Sequence, residues 1–225
     1  IRHDIEALKE RIGDRVVIAS VSGGKDSTAM ALYLKELGIP FRSLFMDTGW
    51  EHADVYDYIR DVLPGYIGRI ETIKADVPVP AGLEVEVEDF ERRIGRPSPM
   101  VRIILAKAMF ANRKHRWCTE KLKMRPARDY LDAMDDDPVS ASGIRAAESA
   151  ARSKYPEWEW WDAAGCEQWR PILSWTDDDL VNIHKRHCVP PNPLYLRGAH
   201  RVGCWPCIYA RKSEIRNIAE TDADR

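Results

Sequence analysis

Apolar residues fall in short blocks whose spacing alternates between that of a buried strand and that of a helix. Residues 16–21 (VVIASV) form an apolar, partly β-branched run that stops at Ser22-Gly23-Gly24, and residues 27–37 then carry apolar side chains at helical spacing. That order predicts strand, glycine turn and helix. A second unit follows, with residues 41–46 as a buried strand, Asp47-Thr48-Gly49 as its exit loop and residues 52–63 as a helix ended near Pro64-Gly65. Residues 69–74 and 139–143 predict a third and a fourth strand, with helices expected over 100–112 and 120–134. The alternation predicts an α/β fold, doubly wound around a mainly parallel sheet. Residues 77–99, rich in proline and acid, read as a long surface loop or mobile cover. From about Tyr155 the pattern changes. Trp158, Trp160, Trp161, Trp169 and Trp175 cluster, a helix is predicted over 176–187, and Pro190-Pro191-Asn192-Pro193 follows. Residues 155–225 thus read as a small lobe rich in cysteine and tryptophan, packed as one structural unit on an α/β domain over residues 1–154.

With 225 residues and 44% hydrophobic content, the chain closes one sizeable core. Lysine plus arginine number 34 against 36 aspartate plus glutamate. A net charge of −2 gives no global attraction to polyanions, so any such site must be local. No apolar run approaches the roughly 20 residues that span a bilayer, and residues 1–10 lack the apolar region of a signal peptide. The expectation is a cytoplasmic protein without a membrane partner. Five cysteines, two of them as Cys204-x-x-Cys207, argue against a disulfide framework and for metal or redox chemistry.

Three local features carry candidate chemistry. A glycine pair after a strand lets backbone approach phosphate oxygens, and the helix that follows offers unpaired amides and roughly half a positive charge. Ser22 and Ser27 add hydroxyls, Lys25 a mobile cation, and Asp26 a carboxylate able to hold magnesium against a polyphosphate. The kinase-type ending Gly-Lys-Ser/Thr with its four-residue spacer is missing. Between Arg102 and Arg128, nine lysines and arginines stand against one acid, Glu120. So one-sided a run predicts contact with phosphate or nucleic acid rather than a face of balanced ion pairs. Cys204 and Cys207 with His184, His187 or Cys188 have ligand types that suit a closed zinc site.

The loop Ser22-Gly23-Gly24-Lys25-Asp26-Ser27 resembles the pyrophosphatase loop of enzymes that split ATP into AMP and pyrophosphate. Leu44-Phe45-Met46-Asp47-Thr48-Gly49, Arg116-Trp117-Cys118-Thr119, Gly143-Ile144-Arg145-Ala146-Ala147-Glu148-Ser149 and Gly203-Cys204-Trp205-Pro206-Cys207 extend the likeness from residue 16 to about 216. Together they resemble the phosphoadenylylsulfate reductase-like superfamily, whose fold is that of the adenine nucleotide α-hydrolases. The resemblance implies ATP, or adenylyl sulfate with or without its 3′-phosphate, as nucleotide, with Mg2+. It places Asp47 beside the adenosine, although Asp47 also reads as a helix cap near Glu51. Lys121, Lys123 and Arg145 are implied to meet phosphate or sulfonyl groups, and Lys25, Asp26, Arg145 and Glu148 to form the catalytic set. An alternative for Arg145 and Glu148, three apart, is that they pair with each other.

In iron-sulfur members of that superfamily, cysteines at the positions of Cys118, Cys204 and Cys207 hold a cluster. The fourth ligand stays open between Cys188, Cys166, a non-cysteine group and none at all, and zinc is the alternative metal. The blocks look most similar to the sulfur-insertion ATPase of DNA phosphorothioation systems. Three functions stand at this point: an adenylating sulfurtransferase, a sulfonucleotide reductase, and a non-catalytic nucleotide- or nucleic-acid-binding module. The reductase uses a mobile C-terminal cysteine, and no cysteine follows Cys207 in this sequence. Expected partners are an adenine nucleotide, a DNA or RNA acceptor, a sulfur donor such as a cysteine desulfurase, and a second copy of the chain.

Overall fold

In the computed structural model, which describes residues 3–134 and 137–221, the Asp4 carboxylate accepts the Glu6 and Ala7 amides and so opens α1 (Ile5–Ile12). The expected strand-turn-helix follows as β1 (Val17–Ser20) and α2 (Lys25–Glu36). Residues 27–34 of α2 are buried without a break, which marks a helix wrapped on all sides rather than one with a solvent face. Next come β2 (Phe41–Asp47), α3 (Ala53–Asp57), a π-helical turn (Tyr58–Val62), α4 (Pro64–Ile67) and β3 (Ile70–Lys74).

The proline- and acid-rich stretch contains a helix that its sequence hides. α5 (Glu84–Ile94) buries Val87 and leaves Val85 and Phe90 exposed, so no apolar stripe announces it. Its support is electrostatic and local: Arg92 pairs with Glu88 and Arg93 with Asp89, each four residues apart, and Gly95 ends it at φ 73°. α6 (Pro99–Lys107) is shorter than expected because Ala108 turns left-handed at φ 46°. The basic segment then forms α7 (Trp117–Thr119), a π-helical turn (Glu120–Met124) and α8 (Arg125–Asp132), and β4 (Val139–Ser142) follows.

The tryptophan-rich residues form two strands that four-residue periodicity could not reveal, β5 (Trp158–Trp161) and β6 (Cys166–Trp169). They take the outer two places of a six-stranded sheet ordered β3-β2-β1-β4-β6-β5, in which only β5 runs antiparallel. Trp158 stacks on Trp169 at 4.9 Å, and the Arg11 guanidinium lies 4.2 Å from the Trp158 ring centroid. α9 (Asp177–Arg186), α10 (Pro193–Leu196) and α11 (Lys212–Thr221) complete the chain.

Alternation along β1 sends Val17 and Ala19 to one face, with α2 and α9, and Ile18 to the other, where Leu131 of α8 and Cys166 pack. Helices therefore cover both faces, as the doubly wound reading requires. Strand order reverses at β1, between β2 and β4, and open α/β sheets place ligands at the carboxyl ends of such strands. Among the described residues, no helix is long and apolar enough to cross a membrane.

Candidate active site

The segment after β1 is organised by its own hydroxyls. Ser27 Oγ accepts the Ser22 amide at 3.0 Å, lies 3.2 Å from Ser22 Oγ and donates to the Gly24 carbonyl at 3.1 Å. Gly23 adopts φ +72°, and Gly24 precedes α2 with no side chain to cap it, so the helix dipole faces the loop. Two residues from far along the chain hold this turn: Tyr195 accepts the Lys25 amide at 2.9 Å, and Asn192 donates to the Gly23 carbonyl at 3.4 Å. Burial pushes the Tyr195 hydroxyl up to about 12, so it stays neutral. A cavity of about 390 Å³ opens beside Gly23 and Lys25, walled by Tyr58, Leu180, Val189 and Tyr195.

β4 delivers the second half. A Cβ on Gly143 would come within 2.8 Å of the Asp26 carbonyl oxygen and of Ser27 Cα, so only glycine lets this exit pass against the loop. Arg145 follows, 4% exposed, with Nε 2.6 Å from Asp26 Oδ1, a terminal nitrogen 2.8 Å from Asp177 Oδ1, and a third bond to the Trp175 carbonyl. Burial opposes its charge, but the hydrogen bonds and charges of Asp26 and Asp177 outweigh it and raise its pKa. Lys25 Nζ stays half-exposed, 3.8 Å from Asp177. Glu148 does not take the Arg145 guanidinium. Its carboxylate accepts the Arg145 amide at 3.0 Å and pairs with Arg152.

The exit of β2 is a buried carboxylate network. Asp47 accepts the Gly49 amide and the Tyr56 hydroxyl and pairs with Lys74 at 2.7 Å, so it fixes the loop instead of capping a helix; His52 caps α3. Gly49 is required because a Cβ there would sit 2.6 Å from Ser98 Cα. Glu51, 1% exposed, accepts from Thr48 Oγ1 at 2.7 Å and from Tyr56 at 3.0 Å, and it bridges to Cys204 as a short antiparallel contact.

Cys204 Sγ lies 3.6 Å from Glu51 and 3.7 Å from Thr48, with Lys123 on it as well. Burial pushes this thiol up to about 11; Lys123 opposes the shift and Glu51 adds to it. Cys204, then Glu51 and Cys207, hold the Lys123 ammonium raised. Lys123 is thus placed against the cysteines, whereas Lys121 is exposed. The loop that carries Cys204 and Cys207 is closed by Glu214, whose carboxylate accepts the His200 and Arg211 amides at 3.0 and 2.8 Å. It also lies over the glycine turn, since the Val202 carbonyl is 3.4 Å from a Cβ built on Gly24.

A model of the phosphoadenosine phosphosulfate reductase domain matches residues 16–210. The chain belongs to that family. The reductase-domain match is accompanied by 37% identity to an uncharacterized 37.8 kDa protein of Escherichia phage 186, over 89% of this chain and 69% of the phage protein. Adenosine 5′-phosphosulfate reductase of Allochromatium vinosum is 26% identical over 88% of this chain and 69% of its own length. Phosphoadenylyl-sulfate reductase of Candida auris shares the fold at TM-score 0.60 and 18% identity, over 90% of this chain and 88% of that one. An adenine-nucleotide-using family and a mainly parallel α/β fold are thus common ground.

The cluster implied for iron-sulfur members of the family finds an incomplete donor set. Cys118 packs with Met100, Ile103 and Leu122, and among the described residues no three His, Cys, Asp or Glu side chains converge as metal ligands would. Cys188 is elsewhere: at φ 53° it lines the cavity beside Gly23 and Lys25. His184 bonds to the Leu180 carbonyl, His187 pairs with Glu36, and Cys166 is fully buried in β6. Asp177 and Tyr195 lie in segments, residues 175–180 and 192–195, that also resemble the family but imply no role for them, and nothing in the local pattern of Glu51 or Glu214 distinguishes them from ordinary surface or capping residues.

Proposed function

We propose that the protein is an ATP-cleaving, adenylating sulfurtransferase whose acceptor is a nucleic acid. The observation that carries this reading is the intact Ser22–Ser27 turn, open at the N-terminus of α2, with Arg145 fixed against it at the point where strand order reverses. MgATP is the substrate. The glycine turn and Lys25 take the β- and γ-phosphates and neutralise charge that develops on departing pyrophosphate. An acceptor oxygen attacks the α-phosphorus, the bond to the β-phosphate oxygen breaks, and the acceptor carries AMP. A sulfur nucleophile at the oxidation level of sulfide then attacks the acceptor atom, and AMP leaves with the original oxygen. Acceptor hydroxyl, ATP and hydrosulfide become acceptor thiol, AMP and pyrophosphate, with no net redox change. Cys204 and Cys207, on the loop above the turn, are the thiols placed to take a sulfane sulfur from a donor such as a cysteine desulfurase; the second thiol cleaves the persulfide to hydrosulfide, and an external thiol reductant reduces the disulfide left behind. An enzyme of this kind works in the cytoplasm, where ATP and reduced sulfur are supplied.

Pyrophosphate release from ATP, with and without DNA or RNA, tests the reading. ADP and phosphate as the sole products would overturn it. The adenosine 5′-phosphosulfate reductase relatives favour a second reading, a sulfonucleotide reductase, which would release sulfite from adenylyl sulfate when given a thiol reductant. Iron, sulfide and zinc analysis after anaerobic purification decides whether Cys118 joins the cysteine pair around a metal.

A further inference from the structure

Folding sorts the nine cations of the basic segment into groups with different surroundings. Arg102 pairs with Glu91, Arg128 pairs with Glu120, and Lys123 faces Cys204. Arg113 and Arg116 do something else. Together with Arg201, from the loop between α10 and α11, they gather over one ring, their guanidinium carbons 5.7, 5.3 and 5.9 Å from the Tyr209 centroid. All three are exposed, and among the described residues none pairs with a carboxylate. Several other exposed arginines are neutralised, Arg60 by Asp57 and Asp61, Arg92 by Glu88 and Arg93 by Asp89, and none of the three at Tyr209 is.

Three like charges brought together from segments about 90 residues apart repel one another, and one aromatic face offsets that only weakly. Such an arrangement is complementary to closely spaced anions. We propose that Arg113, Arg116, Arg201 and Tyr209 form the docking surface for a single-stranded nucleic acid, which deepens the acceptor assignment made above and rests on it. Arginine forks take successive phosphates, and the tyrosine face they vacate takes a base. Position supports the assignment, since Tyr209 follows Cys207 by two residues and Arg116 precedes Cys118 by two. A strand held there runs past the cysteine loop that overhangs the glycine turn. A duplex does not expose base faces to stack on Tyr209, which is why a single strand is the better fit.

The test is fluorescence anisotropy of the full chain with labelled single-stranded DNA and RNA of one sequence, titrated across salt. Each phosphate contact contributes a slope of about −0.7 in log affinity against log salt for a single strand, so replacing all three arginines by glutamine should flatten it by about two. Tyr209→Leu should weaken binding roughly five- to a hundredfold at unchanged slope, and Tyr209→Phe should restore it. Arg92→Gln with Arg93→Gln is the matched control. Thermal melting and ATP affinity report that the variants are folded. An unchanged slope in the triple variant, wild-type binding by Tyr209→Leu, equal affinity for a duplex, or displacement of the strand by inorganic phosphate at comparable affinity would each overturn the proposal. Loss of strand binding in all forms with pyrophosphate release intact refutes only this surface. Strand binding as described without pyrophosphate release refutes the enzymatic reading and leaves the surface standing.

Discussion

Arg145 Nε lies 2.6 Å from Asp26 Oδ1, across 119 residues of sequence. The contact joins the exit of β4 to the first turn of α2, and Asp177 at the start of α9 completes a three-member ion network around one buried guanidinium. A carboxylate that sequence alone assigns to magnesium is thereby committed, through one oxygen, to an internal cation. In the proposed reaction its second oxygen is the one left to hold magnesium.

Arg145→Ala leaves the partly buried Asp26 carboxylate without its partner. The expected loss is about 1.5–3 kcal/mol of stability, together with most pyrophosphate release. Denaturant melts alongside the ATP assay separate the two effects. Arg145→Lys should recover stability better than activity, because an ammonium cannot reproduce the planar fork.

Lys25 presents the opposite case, since its ammonium is half-exposed and pairs only loosely with Asp177, at 3.8 Å. Lys25→Ala should change stability by no more than about 0.5 kcal/mol and remove most ATP cleavage. A melting temperature that falls as far as in Arg145→Ala would show that Lys25 supports the fold rather than the chemistry.

Gly143→Ala forces a methyl group to within 2.8 Å of the Asp26 carbonyl oxygen and of Ser27 Cα. Backbone cannot swing aside as a side chain does, so a cost of about 1–3 kcal/mol and a distorted glycine turn are expected. Gly65→Ala serves as the contrast: nothing lies within 4 Å of its Cβ, it sits inside α4, and a gain of about 0.4–1 kcal/mol is expected.

Acid sensitivity should appear where α1 meets β6. Glu167 binds Arg11 at 2.7 Å and Arg15 at 2.9 Å, and these arginines, Arg11 first, hold its carboxyl below the ordinary 4.5. A depressed folded-state pKa means stabilisation that is full above the unfolded value and lost as pH falls through the folded one. Glu167→Gln should therefore lower stability by about 1 kcal/mol at pH 7, a shift of roughly 2–4 °C in melting temperature. Below pH 4 the gap between variant and parent should close. A gap that persists or widens there would assign the effect to packing.

The central strands and their turns were legible because they rest on short-range rules. β1 and β2 appear as largely apolar runs and β3 and β4 as short alternating stretches, and each is ended by a residue type whose backbone or hydrogen bonding stops a strand within a few positions. α5 was not legible, since its order comes from pairs such as Glu88–Arg92 without an apolar stripe, in a stretch whose prolines suggested a loop. β5 and β6 were hidden for a different reason. Four residues hold too few alternations to establish a period, and their strand state depends on β4 lying beside them.

The candidate site divides the same way. Glycine freedom at Gly23, the hydroxyls of Ser22 and Ser27 and the helix start at Lys25 are local properties, and the chain determined them by itself. Which cation meets which anion was decided only by tertiary structure. Lys121 and Lys123 stand two apart in a run of like charge, yet one is exposed and the other faces Cys204, while Arg116 goes to Tyr209 and Arg145 to Asp26. Electrostatic partners are set by distances of a few ångströms between segments that sequence order leaves far apart, and no local pattern encodes those distances.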